Sequence, residues 1–296
     1  CGYHGWHDWY LSTNLNNDKS LDGHLLPGLQ PNGVPRGLMG STLPFNYNDI
    51  EQLQKLIQDN PEQIAAIKME VTRNDGPQDS FLKKVRKLAT ENNIVLIFDE
   101  CTSGFRETFG GLHKKYGVNP DLAVFAKSLG NGYAISACIG SKEIMQSAES
   151  TFISSTFWTE RIGPTAALKA LEVMEREKSW ELITKTGTNI SDRWSKLAKK
   201  YNLSINNFGI PALSGFSFNS SNAQAYKTLI TQEMLKNGFL ASNCVYACID
   251  HSNSIIDDYF ELLDPIFSQI NECENGRNVD SLLEGPISHN GFKRLN

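Results

Sequence analysis

A chain of 296 residues with 28 Lys+Arg against 33 Asp+Glu carries a formal charge of −5, which excludes nucleic-acid recognition through bulk positive charge. At 40% hydrophobic, 21% charged and 10% aromatic residues, its composition fits one large or two modest globular domains and excludes disorder, collagen and coiled coil. No run approaches the ~20 apolar residues that cross a bilayer, the start lacks the pattern of a secretory signal, and six scattered cysteines without a CxxC pair fit a reducing compartment better than disulfides or zinc, so a cytoplasmic protein without membrane or nucleic-acid partners is expected.

The opening CGYHGWHDWY contains His4, His7 and Asp8 at a spacing open to metal ligation, yet histidines flanked by aromatics more often pack or hydrogen-bond, and no metal is expected. The first methionine is Met39, so Cys1 reads as the remainder of something longer. The segment to about Gly40 is rich in Asn, Gly and Pro and reads as a long loop. Asn48 and Asp49 are placed to cap a helix over Ile50 to Gln58.

From Ile64 the pattern becomes α/β. A short apolar run ends at Glu70, and Phe81, Leu82, Val85, Leu88 and Ala89 trace one face of a helix. Ile94 to Phe98 is continuously apolar, which predicts a strand of a parallel sheet covered on both faces. Leu122 to Ala126 repeats the pattern and stops at Lys127, and Ile135 to Ile139 predicts a fourth strand. From Pro164 the texture is helical, with a second amphipathic stretch through Ile190, Trp194, Leu197 and Ala198, and both helices are expected to bridge two domains. After Asn202, short strands and two helices, near Tyr226 to Leu235 and Ile255 to Ile270, predict a small α+β domain.

Glu70, Asp99 and Lys127 each fall where an apolar strand stops, and ligands of open α/β sheets bind at the carboxyl ends of strands. The common nucleotide, zinc-protease and serine-hydrolase motifs are absent; Gly130-Asn131-Gly132 has no third glycine at Ile135. A lysine at one strand end and a carboxylate at another is the pairing that pyridoxal 5'-phosphate (PLP) needs. The amine forms a Schiff base with the cofactor aldehyde, and the carboxylate keeps the ring nitrogen protonated. On spacing alone, an ion pair or two strand caps explain Asp99 and Lys127 equally well.

The surrounding motifs go further. GYHGWHDWY at Gly2 to Tyr10, IFDECTSGFR at Ile97 to Arg106 and NPDLAVFAKSLGNG at Asn119 to Gly132 together resemble class III PLP-dependent aminotransferases, in particular those like glutamate-1-semialdehyde 2,1-aminomutase. The resemblance implies a fold-type-I large domain with a mostly parallel sheet flanked by helices (1–165), connecting helices (166–201) and a smaller α+β C-terminal domain (202–296). It also implies a homodimer with active sites at the subunit interface.

By the same resemblance, Lys127 holds the cofactor and Asp99 meets the ring nitrogen; proton transfer needs Lys127 neutral part of the time, which a partly buried site beside a cationic ring favours. Tyr3, followed by His4, stacks on one ring face, with Cys101 on the other. Asn74 lies near the phenolic oxygen, and Glu70 matches an acidic residue that relatives follow with proline, here Val71, on the substrate side. Ser155 and Thr156 reach the phosphate of the neighbouring subunit's cofactor. The glycine- and serine-rich phosphate cradle of the family precedes the YHG motif, so an N-terminal part ahead of Cys1 is expected. The activity implied is amino-group transfer between small-molecule amines and carbonyl acceptors. Intramolecular transfer of the aminomutase type and an inactive incomplete fragment are the alternatives.

Overall fold

The computed structural model describes residues 8–17, 19–22, 28–72, 74–154, 157 and 159–289. Its elements run α1 (Asp8–Ser12), α2 (Ile50–Asp59), β1 (Ala66–Glu70), α3 (Phe81–Glu91), β2 (Val95–Asp99), α4 (His113–Tyr116), β3 (Leu122–Phe125), β4 (Ala137–Gly140), α5 (Lys142–Ser147) and α6 (Ile162–Glu177). They continue through α7 (Ser179–Lys200), β5 (Ile205–Phe208), β6 (Leu213–Phe218), α8 (Ala223–Lys236), β7 (Cys244–Tyr246) and α9 (Asn253–Glu274). The described residues divide into two compact units, one ending at Leu171 and one beginning at Glu172. Among the described residues no helix is long and apolar enough to cross a membrane.

The first unit is built on a sheet of order β1-β2-β3-β4, with β1, β2 and β3 parallel and β4 antiparallel to β3. Strand side chains alternate between faces. Ile67, Met69, Leu96, Phe98, Ala123 and Phe125 share one face and are all buried. Lys68, Glu70, Ile97, Asp99, Leu122 and Val124 share the other, where only Glu70 is fully buried. The expectation that β2 is covered on both faces is therefore corrected: Val95 and Ile97 are only half-buried while Leu96 and Phe98 are inaccessible. A continuous apolar run does not report coverage when the less buried face also carries β-branched residues.

Helix α3 packs against β2 and turns Phe81, Leu82, Val85 and Ala89 inward, with Leu88 at the margin. The Asp121 carboxylate ties the helix to the sheet, taking Arg86 at 2.8 Å and the backbone N–H of Leu96 at 2.7 Å. Helix α2 starts as its sequence demands: the Asp49 carboxylate accepts the N–H of Gln52 at 2.9 Å. The N-terminal segment is more ordered than its composition implies. Tyr10, Leu21 and Val34 are buried, and the Asn14 amide joins separate stretches by donating to the Leu29 carbonyl (2.8 Å) and accepting from Leu21 N–H (3.0 Å).

The second unit is a smaller antiparallel sheet of order β5-β6-β7 with α7, α8 and α9 around it. Its core joins Trp194 of α7, Phe216 and Phe218 of β6, Tyr226 of α8 and Phe267 of α9, with the Trp194 and Phe216 rings 4.8 Å apart. Trp194 donates its indole N–H to the Tyr259 hydroxyl at 2.9 Å, so its polar edge is satisfied inside an apolar cluster. Gly187 sits in mid-helix because a Cβ there would lie 1.7 Å from the Pro211 carbonyl oxygen, a close approach that only glycine permits.

Candidate active site

Parallel register brings the carboxyl ends of three strands level: Glu70 lies opposite Asp99, and Asp99 opposite Val124. Beyond Asp99 the chain turns at once. Asp99 Oδ1 accepts the backbone N–H of Cys101 at 3.0 Å, a turn that short polar side chains favour. The next residue, Glu100, is 0% exposed and holds the turn from the opposite side. Its carboxylate accepts from the Ser103 hydroxyl (2.5 Å) and the His113 backbone N–H (2.9 Å), and it lies 2.9 Å from His113 Nδ1. Gly104 closes the turn where a Cβ would be 2.7 Å from both the Glu100 carbonyl oxygen and Phe125.

This turn presents Thr102 to the lysine of the neighbouring strand: Lys127 Nζ donates to Thr102 Oγ1 at 2.6 Å. Lys127 follows the last paired residue of β3 by two positions and opens a short 3-10 turn, Lys127–Leu129. Its φ of +38° is left-handed, a conformation that costs a side-chain-bearing residue energy and clusters at functional sites. Ser128 beside it is 9% exposed, and its hydroxyl has no partner among the described residues. The Lys127 side chain is exposed in the single chain. It stands at the rim of the sheet, past the last residue that a neighbouring strand covers.

Asp99 has a second partner that the motifs do not announce. Lys68 Nζ lies 2.7 Å from Asp99 Oδ2, with the two side chains 23% and 15% exposed. Burial pushes the Cys101 thiol up, the Lys127 ammonium opposes that, Asp99 and Glu70 add to it, and Lys68 opposes it again. Five titratable side chains thus share one electrostatic neighbourhood at the strand ends.

Of the residues singled out in the sequence, Asp99, Cys101, Lys127 and Glu70 come together here, with Glu70 only 6% exposed. Asn74 is exposed in the bend after β1, and no hydrogen bond joins it to Asp99, Cys101 or Lys127; that bend is closed by Thr72 Oγ1 donating to the Asp75 carbonyl at 2.6 Å. Tyr3, His4, His7, Ser155 and Thr156 lie outside the described residues. Among the described residues no three His, Cys, Asp or Glu side chains are arranged to hold a metal. Sequence reasoning missed Lys68, Thr102 and Ser128. A charge inside the apolar run IAAIKM was a signal for the first, and none existed for the others.

A strained turn bearing an amine, a carboxylate at the next strand end and an unpartnered buried hydroxyl are the groups PLP requires: an amine for its aldehyde, an anion for its ring nitrogen and a donor for an oxygen. The family model for aminotransferase class III matches residues 2–256. The chain belongs to the class III aminotransferase family. A 3-aminobutyryl-CoA aminotransferase of Cloacimonas acidaminovorans is 33% identical over 238 residues, 78% of this chain and 53% of that protein. A glutamate-1-semialdehyde 2,1-aminomutase of Methanococcus maripaludis is 31% identical over 285 residues, 88% of this chain and 65% of that protein. The chain therefore spans between about half and two thirds of the length of these class III relatives.

The fold agrees. The PLP internal aldimine form of the FumI protein of Sphingopyxis sp. MTA144 superposes with a TM-score of 0.80 at 20% identity, over 95% of this chain and 66% of that one. An omega-transaminase of Sphaerobacter thermophilus superposes with a TM-score of 0.73 at 20% identity, over 93% of this chain and 67% of that one. The mixed sheet of the first unit is thus a fold-type-I class III sheet, and the cofactor of the family is PLP.

Proposed function

We propose that the chain carries amino-group transfer between a small-molecule amine or amino acid and a carbonyl acceptor, with Lys127 and Asp99 as the residues that do the chemistry. The observation that carries this reading is the convergence of Lys127, Thr102 and Asp99 at one set of strand ends. When bound, PLP supplies an aldehyde for an amine to condense with and a ring that takes up electrons from the substrate carbon. Lys127 would be the residue that holds PLP through its amine, and the same amine can carry a proton to or from the substrate carbon. Thr102 orients the amine meanwhile. Asp99 provides the negative charge beside the ring nitrogen.

The remaining assignments rest on the family resemblance. Tyr3, His4 and Cys101 would be the residues that hold the ring. Asn74 approaches the phenolic oxygen, and Glu70 faces the substrate. Ser155 and Thr156 belong to the neighbouring subunit's phosphate site in a homodimer. Support for the dimer is the number of exposed apolar side chains in the sequence around those two residues: Phe152 is 96% and Leu168 70% exposed, with Ile153, Phe157 and Ile162 also exposed. Sedimentation velocity is expected to give about twice the chain's mass, and a monomer at micromolar concentration would remove this part. A cytoplasmic location fits five free cysteines among the described residues, and cell fractionation checks it.

The reading is tested by borohydride reduction of the PLP-loaded chain followed by peptide mapping. The label is expected on the peptide around Lys127, and a label found elsewhere overturns the assignment. Intramolecular transfer is the second reading, since a glutamate-1-semialdehyde 2,1-aminomutase is among the relatives. Turnover that needs no separate amino acceptor would select it. An inactive fragment would take up no cofactor.

A further inference from the structure

We infer that Lys68 is a positioning residue that sets the proton affinity of the cofactor's ring nitrogen by sharing the Asp99 carboxylate. This inference rests on the proposed role of Asp99 and adds to it a residue outside the family's motifs.

Lys68 precedes Glu70 by two positions on β1, so both side chains leave the same face of the sheet. Register puts Lys68 beside Ile97 and Glu70 beside Asp99, which leaves Lys68 one diagonal step from Asp99. Its four-carbon stem covers that step and delivers Nζ to 2.7 Å from Asp99 Oδ2. The other oxygen, Oδ1, already accepts the Cys101 N–H at 3.0 Å. Both carboxylate oxygens are therefore engaged by the protein. Each retains a lone pair, so a ring N–H can still be accepted.

Exposed ion pairs of this kind matter little, because water and salt screen them. This pair is mostly enclosed, at 23% and 15% exposure, so its charges act on whatever approaches. A protonated ring nitrogen meeting Asp99 alone would meet a full negative charge; meeting Asp99 with Lys68, it meets a nearly neutral couple. The other charged or titratable groups of the cluster are Glu70 on β1, Cys101 in the turn after β2 and Lys127 after β3. None of these is drawn to Asp99 Oδ2 as Lys68 is. The consequence is a ring nitrogen that loses its proton at lower pH than the carboxylate alone would allow, and a correspondingly weaker electron sink. Such a sink suits reversible proton movement at one carbon better than reactions that need a long-lived carbanion.

The test uses the 296-residue chain loaded with PLP labelled with nitrogen-15 in the ring, whose chemical shift reports protonation directly against pH. In Lys68→Met, which keeps the length of the side chain and removes its charge, the ring nitrogen is expected to titrate at a pH higher by about one unit, the scale of a nearby charge. Lys68→Arg keeps the charge and is expected to follow the wild type, which separates charge from any change in packing. Superposable wild-type and Lys68→Met titrations overturn the inference while leaving Asp99 and Lys127 in their proposed roles. A wild-type chain that takes up no labelled cofactor overturns both.

Discussion

Lys127→Ala is expected to lower turnover by at least about four orders of magnitude while leaving the fold and its melting temperature unchanged. General acid–base catalysis alone contributes about 10²–10⁴-fold, and here the same amine also serves as the nucleophile that holds the cofactor. Stability should be indifferent for three reasons. The side chain is exposed and its one hydrogen bond in the described site goes to Thr102, so little packing is lost. Alanine carries a Cβ as lysine does, so the left-handed φ of +38° costs the variant what it costs the wild type. Ser128 and Leu129, whose burial fixes the turn, are untouched. Circular dichroism, a thermal melt and steady-state kinetics on one preparation decide the matter. A variant that retains a tenth of the activity would remove Lys127 from the chemistry.

Thr102 gives that prediction a graded companion in structural terms. The lysine is held by a strained turn at its backbone end and a hydroxyl at its amine end, and neither hold depends on a charge partner. An amine tied to a carboxylate would have to break an ion pair before it could react. One resting on a neutral hydroxyl does not. The carboxylate of the site is instead engaged by Lys68, on the other side of Asp99. Two lysines thus divide two tasks within one cluster: Lys127 stays available and Lys68 balances charge.

Where strands stop was legible in the sequence, because a buried parallel strand must be apolar and the first polar residue after it marks its carboxyl end. Asp99 and Glu70 close β2 and β1, and Lys127 stands two residues past β3. The helix at Ile50 was legible for an equally local reason, an aspartate placed to accept the first free N–H. What escaped was set by the third dimension. The face of β2 that carries Ile97 and Asp99 is apolar or charged according to which neighbour it meets, and no single run of residues encodes that neighbour. Lys68 meets Asp99 only through the register of two strands separated by helix α3, and Thr102 meets Lys127 only through a turn that the buried Glu100 holds from behind. Strand β7, three residues long with two of them exposed, has too short a pattern to be read. The order within the N-terminal segment came from Asn14, whose partners lie seven and fifteen residues away.

Asp99→Asn and Asp99→Ala are expected to lose both duties of that carboxylate. Both remove the negative charge beside the ring nitrogen, and removing one preorganised electrostatic partner of a transition state costs about 10²–10³-fold in rate. Turnover should therefore fall by that factor in each variant. Stability should fall as well. Asparagine keeps one side-chain oxygen for the Cys101 N–H, but its NH2 group then stands where Oδ2 stood and meets the Lys68 ammonium donor to donor. Alanine loses the acceptor for Cys101 and the carboxylate beside Lys68, which is only 23% exposed. Truncating one partner of a fully buried charge pair costs about 2–5 kcal/mol, but the residual exposure here lets water compensate, so a loss of about 1–2 kcal/mol is expected for Asp99→Ala. Guanidinium melts should place both Asp99→Asn and Asp99→Ala below the wild type, since each removes the negative partner of Lys68. If Lys68 is the reason, adding Lys68→Met to Asp99→Ala should recover part of the lost stability, because a mostly enclosed positive charge that has lost its carboxylate is then removed. Recovery of stability without recovery of turnover would show that the ion pair and the ring-nitrogen contact are separate interactions meeting on one carboxylate, whereas wild-type turnover in Asp99→Asn would remove Asp99 from the cofactor site altogether.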